Sequence, residues 1–495
     1  MSDFINGRVI RATVFAIGST LAAAVASDWN QWRGPNRDGI DPSSPPLIDR
    51  LPPDGLEPLW LSEKIPAGGN GGWGSPVVTD GKVYLFAHYQ VPKAGVKLPP
   101  PKFPALKEDE QKRLEPAELQ KYEQSRQEEE YARRTASHDV FDVVYCLDAT
   151  NGQTLWKNEK PSIITDFFHS GTPAVIDHRL YVLGAGAVAR CLDADDGHVI
   201  WETPLPAKVT REFFMSSFAI ADGVAVVLAG RLFGLDTTDG RILWEGDPSK
   251  TQGTHSSAAV WQASGGDLFV VNVGGHDTIC VRPRDGHELW RVDSQANLST
   301  PVIAGNKLLT LGDSRKKGLR CFEMSADAAK LLWSYQGIAD KGSSPLVIDG
   351  SVYAQGEQRL ACVDLESGKA AWTAELELQN PQYTSLIAAD DKIFYAFREV
   401  VCFKATPADY ELLFHARLDR SGRMATEDSF RRLFAVDDSA RGSENSTKVE
   451  QKLREQTTGQ GPLECASPAI SDGRFYVRLN RGLACYDLRT EGTQK

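Results

Sequence analysis

The sequence predicts an all-β fold: an eight-bladed β-propeller of four-stranded antiparallel blades, the last closed by an N-terminal strand. Three observations predict it. The phrase CLDATNGQTLW, running from Cys146 to Trp156, recurs at intervals of 39 residues (Trp333 to Trp372) to 46 residues (Trp244 to Trp290), and self-similarity at that period marks a solenoid, propeller or array. Each unit contains short apolar runs split by Asp-Gly or Ser-Gly pairs, which are hairpin signals. The eighth unit lacks its last strand, and a matching strand, residues 56–61 (LEPLWL), stands at the other end of the chain.

The further copies are CLDADDGHVIW (191–201), GLDTTDGRILW (234–244), CVRPRDGHELW (280–290) and CVDLESGKAAW (362–372). CFEMSADAAKLLW (321–333) and CFKATPADYELLF (402–414) carry two extra residues, and CYDLRTEG from Cys485 stops short. Residues 342–376 show the grammar of one unit. A first run (343–348) reaches the turn Asp349-Gly350, a second (351–355) ends at Gly356, a third spans 359–364, and a fourth follows Ser367-Gly368. Four strands in about 40 residues is the size of a propeller blade. The third strands fall at 143–148, 188–193, 232–236, 278–282, 319–323, 359–364, 400–404 and 483–487. Pairing residues 56–61 with the last of these removes two exposed edges and ties the termini together.

At 495 residues the chain is long enough for several domains, but a propeller buries its core between neighbouring blades and remains one unit at this size. The expected organisation is a signal peptide at 1–26 and a propeller at 27–490, with inserts at 88–139 and 418–461. Arg8 and Arg11, an apolar stretch from Ala12 to Ala26 and the small residues Ala24-Val25-Ala26 make up the secretory pattern. About 15 apolar residues are fewer than the roughly 20 needed to span a bilayer. The expected location is therefore periplasmic or secreted, with no transmembrane segment after signal removal. A net charge of −11 argues against nucleic acid, whose phosphates need a basic face.

Seven of the eight cysteines, Cys146, Cys191, Cys280, Cys321, Cys362, Cys402 and Cys485, hold one position of the third strand, and Gly234 holds the eighth. Equivalent positions on adjacent blades lie beyond the roughly 7 Å limit for a bridge, so these thiols are expected to be reduced, buried packing groups. Cys465 stands outside the pattern. The first insert is proline-rich around residues 99–104 and then highly charged from 108 to 134, which reads as a solvated helix or helical hairpin over one face. The second, poor in apolar residues, reads as a partly flexible excursion.

The phrase Cys-x-Asp-x-x-x-Gly-x-x-x-Trp resembles the pyrroloquinoline-quinone-type propeller repeat, over about residues 56–490. The opening DWNQWRGPNRDG (28–39) is similar to that of exported propeller proteins of planctomycete-type bacteria. The resemblance implies that Trp60, Trp156, Trp201, Trp244, Trp290, Trp333 and Trp372 pack between blades, which is also what one large flat side chain per blade suggests. It does not imply one function. Similar repeats occur in quinone-dependent alcohol and glucose dehydrogenases, and in the cofactor-free lipoprotein propeller of outer-membrane protein assembly.

Members of the dehydrogenase branch use an adjacent cysteine pair, a stacking tryptophan and Glu/Asn/Asp calcium ligands. This chain has no Cys-Cys pair, and no residue can be carried over as catalytic, cofactor-binding or metal-binding. The expected cofactor set is therefore none. The loops expected to share one face carry Trp73, Asp166, His169, Arg211, Glu212, His255, His276, Asp277, Asp313, Arg315, Lys341, Glu357, Arg359, Arg398 and Arg481. Convergent arginines there would suit an anion, whereas an ordinary solvated rim would carry the same residues. The leading expectation is a non-catalytic binding or scaffold propeller that presents this face to a protein, peptide or polysaccharide. The alternative is a quinone-dependent oxidoreductase acting on an alcohol or sugar.

Overall fold

The computed structural model describes residues 28–69, 71–166, 169, 171–207, 215–434 and 443–490. The leader at 1–26, Arg211, Glu212 and part of the second insert lie outside the described residues.

Eight antiparallel sheets form the ring. Blade one comprises Val77–Thr79, Lys82–Pro92, His138–Asp148 and Thr154–Pro161, and the next six blades begin at Ala174–Ile176, Ala219–Ala221, Ala259–Ala263, Val302–Ala304, Leu346–Ile348 and Ile387–Ala389. Blade eight contributes Ala469–Ser471, Arg474–Leu479 and Gly482–Asp487, and its fourth strand is Trp60–Leu61, paired Trp60 to Cys485 and Leu61 to Ala484. The closure is thus shorter than residues 56–61. Leu56 instead bridges Met424 of the second insert.

In each of the first seven blades a bulge separates the third and fourth strands just past the repeat cysteine or its equivalent. Cys146 pairs with Trp156 and Leu147 with Thr154, which leaves Leu155 unpaired. A bulge re-aims the side chain beside it, here turning the tryptophan onto the next blade. Trp60 covers Gly152, Trp156 covers Gly197 and Trp201 covers Gly240. A Cβ on Gly197 would lie 2.5 Å from the Trp156 ring, and φ there is +77°, so the repeat requires glycine for space and for conformation. All seven tryptophans also donate Nε1–H to a carbonyl of the next blade at 2.7 to 3.3 Å. The seven repeat cysteines are free and buried behind this seam.

Residues 28–61 brace the face opposite the loops expected to carry function. Trp29 exchanges backbone hydrogen bonds with Val78 of blade one, and the Asn30 carbonyl accepts from Val175 of blade two. Arg37 Nη1 donates to Phe218 O of blade three (2.8 Å), and Arg33 Nη2 donates to Pro345 O of blade six (2.6 Å). Ile40–Asp41 then pairs in parallel with the first strand of blade seven. This segment spans the channel and stoppers it. Both guanidinium groups are buried, and burial pulls them well below their usual range, Arg37 further because the Arg33 charge is nearby.

The first insert extends the middle hairpin of blade one and carries two helices, α1 (Glu108–Gln111) and α2 (Pro116–Ser137), neither of which has a buried residue. Arg134 ties α2 to the carbonyl of Thr165 and the carboxylate of Asp166. The second insert contains α3 (Glu427–Leu433) and α4 (Ser443–Thr457), joined through buried Phe430 and Leu453. Among the described residues no helix is long and apolar enough to cross a membrane.

Candidate functional site: an uncharged funnel

The first strands converge on the axis, and each is preceded by a hydroxyl residue: Ser75, Thr172, Ser217, Ser257, Thr300, Ser344, Ser385 and Ser467. These eight form a ring. Ser75 N–H donates to Thr172 Oγ1, Thr172 N–H to Ser217 Oγ and Ser217 N–H to Ser257 Oγ. From Thr300 the same pattern passes through Ser344, Ser385 and Ser467 back to Ser75. The seven bonds measure 2.9 to 3.1 Å. Thr300 Oγ1 instead accepts Nε1–H of Trp32 at 3.1 Å. Trp32 belongs to the N-terminal stopper, so the same segment that seals the channel provides the floor of the space above it.

That space is a cavity of about 350 Å³, at the small end of the roughly 300–1000 Å³ typical of ligand pockets. Ser75, Thr172, Ser217, Ser257 and Thr300 line its base. Its wall is a second ring, built from the residue two positions before each hydroxyl: Trp73, Met215, His255, Leu298, Gly342, Tyr383 and Cys465. The blade-two equivalent, Ser170, lies outside the described residues. Among the described residues no Arg, Lys, Asp or Glu lines the cavity.

The aromatic side of the wall is fixed in place. Tyr383 and Cys465 have φ of +66° and +64°, the left-handed region that a bulky residue rarely adopts, at a cost of about 1–3 kcal/mol. Buried Asp340 holds the tyrosine loop, its Oδ1 accepting N–H from Gly342 (2.8 Å), Ser343 (2.6 Å) and Tyr383 (3.1 Å). The Tyr383 ring lies against Gly342, where a Cβ would come within 2.8 Å of it. Trp73 rests on the small cluster of Ala67, Leu463 and Ala466. Trp73, Cys465 and Tyr383 come from blades one, eight and seven, so two aromatic rings flank a thiol on one side. His255 of blade four faces them, and burial pulls its imidazole down to about 4, so it is neutral at pH 7.

Of the loop residues read from the sequence, Trp73 and His255 reach the funnel. His169 does not: it is fully buried behind the wall, its ring 5.0 Å from that of Phe86, with burial pulling it down to about 3. Its Nδ1 accepts Gly171 N–H at 3.0 Å, so the proton sits on Nε2, which has no acceptor among the described residues. The charged residues pair along the rim instead of converging. Arg315 binds Glu357, Arg398 binds Glu464, Asp277 binds Arg291, Asp313 binds Lys317, and Arg481 donates to the Arg420 carbonyl. Lys341 and Arg359 are exposed, and His276 is bonded locally to Gly274 O. An arginine-lined anion pocket is therefore not what the described residues form.

Asp193, Asp196 and His198 cluster on an exposed turn of blade two, but Asp193 Oδ1 and Asp196 Oδ1 already accept the backbone N–H groups that shape the turn. The hydroxyl ring was missed in the sequence because its members vary between Ser and Thr and the next residue is Pro in five blades but Phe, Ala or Leu in the other three. Aligning the eight first strands would have shown Ser or Thr at one position in every blade.

Comparison with known proteins places residues 140–404 within a family model described as outer membrane protein assembly factor BamB. Among solved structures, a europium-containing methanol dehydrogenase is 10% identical (TM-score 0.54, covering 93% of this chain and 98% of that one). Quinohemoprotein alcohol dehydrogenase from Comamonas testosteroni is 14% identical (TM-score 0.53, 93% and 80%). BamB from Moraxella catarrhalis is 12% identical (TM-score 0.48, 70% and 90%). At these identities the likenesses to the two dehydrogenases show the fold alone. No curated protein matches the sequence.

Proposed function

Because the chain belongs to the propeller family described as outer membrane protein assembly factor BamB, we propose that it is a non-catalytic binding or scaffold propeller. In this reading residues 1–26 are removed as a signal peptide, residues 27–490 form the exported protein, and the funnel face receives a protein, peptide or polysaccharide partner. The supporting observation is the funnel itself, a blind receptacle floored by Trp32 and, among the described residues, walled by one residue from each of seven blades. The opening residues 28–39, similar to those of exported planctomycete-type propellers, supply that floor and support the same location.

The family resemblance also raises a quinone-dependent oxidoreductase, and the donor set does not fit that cofactor. A planar quinone bearing several carboxylates needs cationic donors and a calcium ion held by carboxylates. The described funnel lining offers hydroxyls, aromatic rings, a thioether, a thiol and a neutral imidazole.

The test is photo-crosslinking in cells, with a photoreactive phenylalanine analogue at Lys341 or Glu357 on the funnel rim and at Asp195 or Asp239 on the opposite turns. Rim-specific adducts to one partner are expected. Adducts arising only from the opposite face would overturn the assignment of the binding face.

A further inference from the structure

The lining of the funnel narrows the chemistry of what it holds, and this inference rests on the binding reading above. We propose that the funnel is a subsite for a neutral, polyhydroxylated ring, the terminal unit of an uncharged saccharide, stacked against Trp73 and Tyr383 with its hydroxyls on the Ser/Thr ring.

The first argument is charge. With no ionisable carboxylate, ammonium or guanidinium group among the described lining residues, an ionic ligand would lose its water without gaining a partner, which is costly. A neutral ligand carries no such penalty. The second argument is the state of the hydroxyls. Each of the eight accepts an N–H bond, and among the described residues none donates its own proton to a protein acceptor. Of the five that line the cavity, four have their oxygens fixed by the backbone of a neighbouring blade and Thr300 by the Trp32 indole, which leaves each O–H for a ligand. An apolar side chain seated there would strip water from those groups and leave them unpaired. A polyol replaces that water one hydroxyl at a time.

The third argument is shape. Two aromatic rings on one side of a base that carries a row of hydroxyls give a ligand one apolar face and one polar edge to satisfy, and a pyranose offers both. The left-handed backbone at Tyr383, held by Asp340, keeps its ring in position before any ligand arrives. Preorganisation of this kind reduces the ordering cost of binding.

The experiment uses the full-length mature protein, titrated by calorimetry and intrinsic tryptophan fluorescence. The probes are neutral oligosaccharides (gluco-, manno-, galacto-, xylo- and N-acetylglucosamine series) and galacturonate and sulfated counterparts. Binding of at least one neutral series is expected, at a Kd of about 10 μM to 1 mM, with the charged counterpart at least tenfold weaker. Trp73→Ala and Tyr383→Ala should each weaken binding at least tenfold. Thr172→Val, which retains the shape but removes a hydroxyl, should weaken it severalfold when measured below the variant's melting temperature, which falls because the buried Ser75 N–H loses its acceptor.

Preference for the anionic series, or tight binding that ignores Trp73 and Tyr383, would overturn the proposal. So would absence of all saccharide binding when rim crosslinks still appear, since the face would then hold a protein side chain. Loss of the rim crosslinks themselves would instead remove the binding reading on which the proposal stands.

Discussion

Ile48 donates its backbone N–H to Leu488 O at 2.8 Å, and that carbonyl is the blade-eight counterpart of Ala149 O, which accepts from the indole of Trp60. At the seam between blades seven and eight, Phe414 stands where the other blades have tryptophan and can donate nothing. The N-terminal segment fills the gap with a backbone donor. The ring is therefore stitched by eight equivalent hydrogen bonds, seven from indoles and one from the strap that also forms the floor of the funnel.

Replacing Ile48 by proline removes that donor and leaves the Leu488 carbonyl unpaired. A loss of about 1–3 kcal/mol is expected, read as a lower denaturant midpoint. Ile48→Ala keeps the N–H and should lose distinctly less. Equal losses in the two variants would show that side-chain packing, not the hydrogen bond, matters at this seam.

Removing residues 28–62 should have a larger effect. It deletes the fourth strand of blade eight, exposes the Gly482–Asp487 edge, and takes away the Arg33 and Arg37 bonds to blades six and three. Unpaired edges recruit other chains, so aggregation on expression or a clear fall in melting temperature is expected. A truncated protein as soluble and heat-resistant as the full one would place the closure elsewhere.

Acid should destabilise the protein well before its carboxylates titrate. Burial holds His169 at about 3 and His255 at about 4 in the folded chain, against roughly 6.5 when unfolded. As pH falls below 6.5 the unfolded state takes up protons that the native state refuses. The stabilisation is therefore complete above about 6.5 and drains away toward 4, at up to roughly 1.4 kcal/mol per pH unit for each group. Melting temperatures of the native protein and His169→Leu between pH 4 and 8 measure this. The variant should show the shallower slope, whatever its absolute stability, and parallel slopes would refute the assignment.

The eight thiols should separate into two classes. Cys146, Cys191, Cys280, Cys321, Cys362, Cys402 and Cys485 are buried in the blade seams, whereas Cys465 is half-buried at the funnel wall with burial pushing its thiol up to about 12. A small neutral thiol reagent should modify Cys465 slowly in the native protein and the other seven only on denaturation. Early modification of a repeat cysteine would contradict the register of the third strands.

These features differ in how far the sequence exposed them. The blades, their register and their closure were legible because a cysteine, a turn glycine and a tryptophan recur at the same spacing in four of the copies, which sets the register for the looser ones. The inert cysteines followed from the same register. The stopper formed by residues 29–41 was not legible, because Arg33 and Arg37 occur once and their partners are carbonyls on blades three and six. Nor was the pairing of rim charges, since Arg315 with Glu357 and Arg398 with Glu464 join residues 42 and 66 positions apart. Of the arginine-rich face expected from the loops, Arg315 and Arg398 are neutralised by carboxylates on the rim, and no described arginine reaches the funnel lining.

The most direct test of whether this propeller is a receptacle or an oxidoreductase is calorimetric titration of the mature protein with pyrroloquinoline quinone in millimolar calcium. The uncharged lining predicts no saturable binding at micromolar quinone and no dye-linked oxidation of alcohols or sugars. A Kd of about 1 μM or tighter, accompanied by that oxidation, would contradict the account and make the funnel a cofactor site.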